Sequence, residues 1–210
     1  FGISPKTPLA YAHTMVDYIP LAMEYGKLGG LDHTSTLINK IRSDRGDDKV
    51  LLLDGGDTWQ GSYTSLKTQG EDMVELMKAL GTEAMVGHWE FTLGKERVQE
   101  LIQKLEYPFL GGNVFDTEWD EPVLDPFITR QIGNLKVALV GFTYPWTALT
   151  SAVAGSAGEF KFGIKENLAI DLIEEIRETE NPDLIIFVSH GGFGFDQKLA
   201  RRVDGIDTVS

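Results

Sequence analysis

The sequence predicts an α/β fold, in which a sheet of strands is covered by helices. Two short runs of apolar residues, at 49–54 and 183–189, have the continuous pattern of strands that are buried on both faces. Such runs alternate along the chain with segments whose apolar residues recur at helical spacing. Several runs end in glycine pairs, which mark tight turns after strands. Together these observations predict an α/β protein.

The individual elements follow in chain order. The first 25 residues mix proline, aromatic and polar residues without a clear period, and they are the least regular part of the chain. Helices are predicted at about 31–42, 73–80, 98–105, 164–177 and 197–202. Strands are predicted at 49–54, 84–86, 108–110, 135–141, 183–189 and 206–209, with a hairpin turn at Gly133 and Asn134. Because there is no internal repeat, linker or shift in composition, we expect one domain, or most of one.

The charge balance excludes several classes of function. The 210 residues include 32 acidic and 19 basic side chains, which give a formal net charge of −13. A surface this acidic repels nucleic acid and anionic lipid, so we expect neither nucleic acid nor membrane as a partner. The chain has no cysteine, which excludes disulfides, thiolate metal sites and cysteine nucleophiles. Because the sequence opens at Phe1 and stops at Ser210 just after a predicted strand, we expect a fragment cut at both ends.

Three predicted strands end in polar residues flanked by glycine. Asp57, His88 and His190 lie just beyond these strand ends. Because ligands in α/β sheets bind beyond the carboxyl ends of the strands, we expect one carboxylate and two imidazoles to meet at one edge. These side chains suit manganese, zinc or iron, and a carboxylate can bridge two ions. We therefore predict a metal site that binds an anionic substrate without lysine or arginine and lowers the pKa of a bound water.

Each residue also has a simpler interpretation. An aspartate after a strand often only stabilises a turn, and a lone histidine there is more often hydrogen-bonded than metal-bound. The metal prediction therefore depends on the three strand ends together. We interpret His13 and His33 as structural or exposed, and Trp59, Trp89 and Trp146 as packing residues.

The motifs resemble those of the calcineurin-like metallophosphoesterases, in the 5'-nucleotidase branch. Asp57 lies in G-D-x-x-x-G, residues 87–94 follow, and His190 lies in S-H-G-G, in the order of that family. The resemblance spans roughly residues 29–210. It implies an α/β/β/α sandwich, truncated here at both ends, with a two-metal site. By that resemblance, Asp57 bridges the metals and His190 binds the second metal.

One segment departs from the family pattern. The family has G-N-H-E-F-D-x-G, in which the asparagine binds metal and the His-Asp pair assists phosphoryl transfer. Residues 87–94 read G-H-W-E-F-T-L-G, so His88 replaces the asparagine and can take its role. Trp89 and Thr92 replace the two members of the pair. An indole cannot donate a proton as an imidazolium does, which argues against ordinary nucleotidase chemistry.

The variant pattern is similar to that of the SoxB family of thiosulfohydrolases. The similarity extends to L-L-L-D-G-G-D-T-W-Q-G-S at 51–62 and to the long run at 189–203. It implies a periplasmic enzyme with two manganese ions that hydrolyses cysteine-S-thiosulfonate on the carrier protein SoxYZ and releases sulfate. The sequence assigns no catalytic residue beyond the three candidate ligands.

Two motifs and a domain that the resemblance implies are not found in this sequence. The family's D-x-H motif is not found before Asp57, and its G-H-T-H motif would begin beyond Ser210. We therefore expect residues 1–210 to be part of a catalytic domain, without the C-terminal substrate-binding domain, and to be inactive alone. Two alternatives stay open: a 5'-nucleotidase-like phosphoric ester hydrolase, and a metal-binding or carrier-docking module without turnover.

Overall fold

A computed structural model describes residues 4–13, 17–26, 29–150 and 158–210. Contacts within the chain define two compact units, Phe1–Asp44 and Arg45–Ser210. Within the described ranges, no helix has both the length and the apolar character needed to cross a membrane.

Helices dominate the first unit. They are α1 (Pro8–His13), α2 (Tyr18–Tyr25) and α3 (Leu31–Arg45), which ends at the unit boundary. The sequence predicts α3 but not α1 and α2, because the first 25 residues show no clear helical period. The ring of Tyr11 packs against those of Tyr18 and Tyr25, and its hydroxyl donates to the Gly26 carbonyl at 2.9 Å. Aromatic contacts between α1 and α2 thus stabilise two helices that the sequence pattern does not predict.

The second unit alternates strands and helices, as the sequence predicts. Its strands are β1 (Leu53–Asp54), β2 (Ala84–Met85), β3 (Phe115–Asp116), β4 (Phe127–Ile132), β5 (Leu135–Phe142), β6 (Phe160–Lys161), β7 (Leu184–Ser189) and β8 (Thr208–Val209). Its helices are α4 (Tyr63–Thr68), α5 (Glu71–Leu80), α6 (Lys95–Lys104), α7 (Thr147–Thr150), α8 (Glu166–Thr179) and α9 (Phe193–Ala200). Two 3₁₀ turns, Asp47–Lys49 and Trp89–Leu93, complete the described elements.

The largest described sheet has the strand order β4-β5-β7-β8. The β4–β5 pair is an antiparallel hairpin, and β7 pairs in parallel with both β5 and β8. The parallel register places Phe142 opposite Ser189, so β5 and β7 end together. A second, parallel pair joins β1 to β2, and an antiparallel pair joins β3 to β6.

Apolar side chains cover both faces of the large sheet. On one face, Val140, Phe142 and Phe187 pack with Ile173 and Ile176 of α8 in one core cluster. On the other face, a second cluster includes the following buried residues: Ala84, Val86, Leu110, Val137, Leu139 and Val188. Burial on both faces is the physical reason for the continuous apolar runs in β5 and β7. The predicted α/β class is confirmed.

Some predicted elements are shorter than expected. Residues 49–54 contain only the two-residue β1, and 108–110 form isolated bridges to Met85 and Asp125 instead of a strand. The β1 ladder is short because its described partner, β2, is itself two residues long. Apolar runs predict burial in both places, but strand length depends on a partner distant in sequence.

Candidate metal centre

The loop after β1 folds back on Asp54. Asp54 Oδ1 accepts hydrogen bonds from Gly56 N at 3.0 Å and from Thr58 Oγ1 at 2.7 Å. Burial raises the pKa of the Asp54 carboxyl, against these two hydrogen bonds and the nearby His190, which lower it. The turn leaves Asp57 with φ of 62°, a left-handed conformation that aspartate tolerates better than most residues. The Asp57 carboxylate is thereby carried at the end of β1 with about half of its surface exposed.

The loop after β2 carries His88 into the interior. His88 is buried, and its ring centroid lies 4.6 Å from those of both Tyr144 and His190. Burial lowers the pKa of the His88 imidazole, although the nearby Asp57 carboxylate opposes the shift. His88 is thus biased toward its neutral form, the form in which imidazole binds a metal.

The loop after β7 fixes the orientation of His190. Ser189 Oγ donates to Asp196 Oδ1 at 2.6 Å and accepts from Gly191 N at 2.9 Å, which anchors the start of the loop. His190 Nδ1 lies 2.5 Å from the Gly55 carbonyl oxygen. Because a carbonyl only accepts, Nδ1 carries the hydrogen, and Nε2 of the neutral ring presents a lone pair. Histidines that bind a metal through one ring nitrogen are commonly oriented by a hydrogen bond from the other ring nitrogen.

These three loops bring the predicted ligands Asp57, His88 and His190 together. Asp57 Oδ1 lies 3.0 Å from His88 Nδ1, and Asp57 Oδ2 lies 3.4 Å from His190 Nε2. One ligand atom from each residue lies within 4.8 Å of the other two. His13 and His33 are both exposed, on α1 and α3 of the first unit.

The donor atoms fit a metal ion. Asp57 Oδ2 and His190 Nε2 face each other across 3.4 Å, and a cation between the carboxylate oxygen and the ring nitrogen would stabilise this arrangement. The buried His88 Nε2 has no hydrogen-bond partner among residues 4–13, 17–26, 29–150 and 158–210. A buried, unpartnered nitrogen is costly, and metal binding would remove that cost. Two imidazoles and a carboxylate are ligands that zinc, manganese and iron accept.

Glu90 is part of this site, although the sequence analysis did not single it out. Its side chain is completely buried, and its carboxylate accepts backbone hydrogen bonds from Thr58, Trp59 and His88. Burial raises the pKa of the Glu90 carboxyl, and the backbone hydrogen bonds oppose that shift. The sequence signal that could have identified Glu90 is its position between two aromatic residues, because such surroundings predict burial.

The residues that replace the family's His-Asp pair form a neutral group. Thr92 Oγ1 donates to the Trp89 carbonyl at 2.6 Å, and Gln60 Nε2 donates to the same oxygen at 2.7 Å and also to Thr92 Oγ1. The Trp89 backbone N–H donates to Asp57 Oδ1 at 3.2 Å. The rings of Trp89 and Trp146 are exposed over 42% and 37% of their surfaces, whereas Trp59 is completely buried. The packing interpretation is therefore correct for Trp59, and the other two tryptophans pack only in part.

Known proteins share the sequence and fold of this chain. No family model matches the chain. The sulfate thiohydrolase SoxB of Thermus thermophilus superposes with a TM-score of 0.86 at 33% identity, over 99% of this chain and 38% of that one. The snake venom 5'-nucleotidase of Gloydius brevicauda is 30% identical over 86% of this chain and 31% of its own length. The chain belongs to the SoxB-like 5'-nucleotidase branch of the metallophosphoesterases.

Other members of this superfamily share the fold. The calcineurin-like phosphoesterase YfkN of Bacillus subtilis superposes with a TM-score of 0.70 at 24% identity, over 86% of this chain and 62% of that one. The match confirms the predicted metallophosphoesterase fold. The members of the branch named here are hydrolases of the 5'-nucleotidase and SoxB types, and the branch is metal-dependent. The chain spans about a third of the length of the curated relatives that it matches.

Proposed function

We propose that this chain is part of the catalytic domain of a thiosulfohydrolase. It would hydrolyse cysteine-S-thiosulfonate on a SoxYZ carrier in the periplasm and release sulfate, with two manganese ions as cofactors. The observation that carries this proposal is the replacement of the nucleotidase His-Asp pair by Trp89 and Thr92. Neither side chain is charged, and Thr92 and Gln60 both donate to the backbone carbonyl of Trp89. The similarity to SoxB over nearly the whole chain supports it.

The site residues have distinct proposed roles. Asp57 would bridge the two ions, and His88 and His190 would bind them through ring nitrogens, with the remaining ligands supplied from outside this sequence. When bound, the metals supply a water of lowered pKa and bind the anionic sulfonate. The Gly55 carbonyl keeps His190 Nε2 directed at the site. His88, whose pKa is lowered by burial, stays neutral for the same task.

The bonding changes explain why the His-Asp pair is dispensable. The oxygen of water bonds to the sulfonate sulfur, and the S–S bond breaks. The electron pair of that bond leaves with the persulfide sulfur on the carrier. The products are sulfate, the carrier persulfide and the protons of the water. A persulfide is a weakly basic leaving group, so it departs without a proton from an imidazolium.

The first test compares two substrates. The full-length protein, loaded with manganese, is incubated with a thiosulfonated carrier protein and, separately, with nucleotides. We expect sulfate release without phosphate release, and Asp57→Ala should abolish it. Phosphate release from nucleotides alone would establish the phosphoric ester hydrolase that the 30% identity to a 5'-nucleotidase favours. Metal binding without turnover of either substrate would establish a binding module.

A second test restores the missing pair. The double variant Trp89→His and Thr92→Asp should gain phosphatase activity, because it places an imidazole and a carboxylate where nucleotidases have them. Trp89→Phe with Thr92→Val is the matched control, since it changes the same positions without adding a proton donor. Equal phosphatase activity in both double variants would contradict the argument from the His-Asp pair.

A further inference from the structure

We infer that Glu90 is a positioning residue that holds the Asp57 and His88 loops at the spacing a metal ion needs. The inference rests on the metal site proposed above. It assigns to Glu90 no contact with metal or substrate. Its role is to fix the backbone from which two of the three ligands project.

Backbone N–H groups of both loops donate hydrogen bonds to the same carboxylate. Glu90 Oε1 accepts from Thr58 N at 2.6 Å and from Trp59 N at 3.2 Å, the two amides that directly follow Asp57. Glu90 Oε2 accepts from the backbone N–H of His88 at 2.7 Å. The two oxygens of one side chain thus connect the loop after β1 to the loop after β2.

The position of this connection matters because it acts on the backbone, whereas the proposed ligands contact each other only through their side chains. Asp57 has a left-handed backbone, with φ of 62°, which aspartate tolerates better than most residues but which still favours contacts that hold it in place. His88 Nδ1 and Asp57 Oδ1 lie 3.0 Å apart, a contact between side chains that does not fix the backbone of either loop. The Glu90 hydrogen bonds and the Trp89 N–H on Asp57 Oδ1 supply the restraint instead.

The chemistry requires a carboxylate in this place. Two oxygens accept three N–H groups in a fully buried position, where an unpaired polar group is costly. Glutamine has almost the same shape, but its NH₂ group would face N–H groups on one of the two loops. Glu90→Gln therefore breaks the connection on one side while it leaves the volume of the core unchanged.

The experiment measures manganese(II) affinity by titration calorimetry on the metal-free, full-length protein. We expect Glu90→Gln to weaken binding about 10- to 100-fold, the effect typical of residues that orient metal ligands. Hydrogen exchange at the amides of Thr58, Trp59 and His88 should become faster in the same variant. This second readout reports the loops directly and needs no catalytic activity.

Asp116→Asn is the matched control. Asp116 is also buried and accepts two backbone hydrogen bonds, from Glu118 and Trp119, but it belongs to β3 and not to the three loops of the site. This variant makes the same exchange of carboxylate for amide, and its manganese affinity should equal that of the wild type.

The outcomes separate the two proposals. Wild-type binding with unchanged affinity in Glu90→Gln would overturn the role of Glu90 and leave the metal site intact. No binding by the wild type would overturn the metal site, and the role of Glu90 with it. If Glu90→Gln does not fold, Glu90→Asp keeps the charge with a shorter reach. Weaker binding by that variant supports the inference, and wild-type affinity overturns it.

Discussion

Two aspartates of the second unit, Asp116 and Asp57, differ in their burial and in the groups that their carboxylates contact. Asp116 is buried, with Oδ1 on the amides of Glu118 and Trp119 at 2.7 and 2.8 Å and Oδ2 on Lys95 Nζ at 2.5 Å. Asp57 is half-exposed and faces two imidazoles, at 3.0 and 3.4 Å, and the ring nitrogens of one of them, His88, have no hydrogen-bond partner among the described residues. The comparison separates a carboxylate engaged by the chain from the one proposed as a metal ligand.

The largest effect expected from this contrast is on metal affinity. Asp57→Ala should weaken manganese binding by more than the roughly 10- to 100-fold expected for a positioning residue, because it removes a proposed ligand. Its free energy of unfolding should change less than its metal affinity, since the Asp57 side chain is about half-exposed. Asp116→Asn should show the reverse: lower stability and wild-type affinity. Calorimetric titration and denaturant unfolding of both variants check this, and equal losses of affinity would contradict the contrast.

A smaller effect is expected from the backbone beside Asp57. A Cβ on Gly56 would lie 3.0 Å from the Val86 carbonyl oxygen and 3.1 Å from His190 Nδ1, at a φ of +93°. Gly56→Ala should therefore lower stability by at least the roughly 1–2 kcal/mol that a left-handed backbone costs, and should also displace His190 and weaken metal binding. Thermal unfolding and metal titration measure the two effects.

Gly61→Ala is the control for that substitution. Gly61 lies in the same loop with φ of +102°, but a Cβ there would meet no atom within 4 Å among the described residues beyond its two chain neighbours. Gly61→Ala should lose only the stability that a side chain on a left-handed backbone costs, and its metal affinity should be unchanged. If Gly61→Ala weakened metal binding as much as Gly56→Ala, contact with His190 would not be the cause.

The smallest effect concerns acid stability. Hydrogen bonds from Lys95 and from the backbone lower the pKa of Asp116 to about 2. A lowered pKa stabilises the folded state above the unfolded value near 3.9, and that stabilisation disappears as pH falls through about 2. The difference in unfolding free energy between wild type and Asp116→Asn should therefore be constant near neutral pH and shrink below about pH 4. A difference independent of pH would show that the Asp116 charge contributes nothing.

Local sequence patterns were sufficient for some elements and not for others. The strands β5 and β7 are predicted well because both of their faces are buried, which leaves a continuous apolar run. Residues 108–110 look equally apolar but form only bridges, because hydrogen-bonded partners decide whether a run becomes a strand. The helices α1 and α2 are missed because short segments lack a readable period.

The sequence by itself determined the α/β class and the three candidate ligands Asp57, His88 and His190. Both follow from local rules: apolar runs mark buried strands, and polar residues at strand ends mark the ligand-binding edge. Only the tertiary structure decided the roles of Glu90 and Gly55. The Glu90 carboxylate reaches the amides of Thr58 and Trp59, and the Gly55 carbonyl fixes a histidine 135 residues away. Contacts between distant segments arise from packing, and no local period or spacing in the sequence records them.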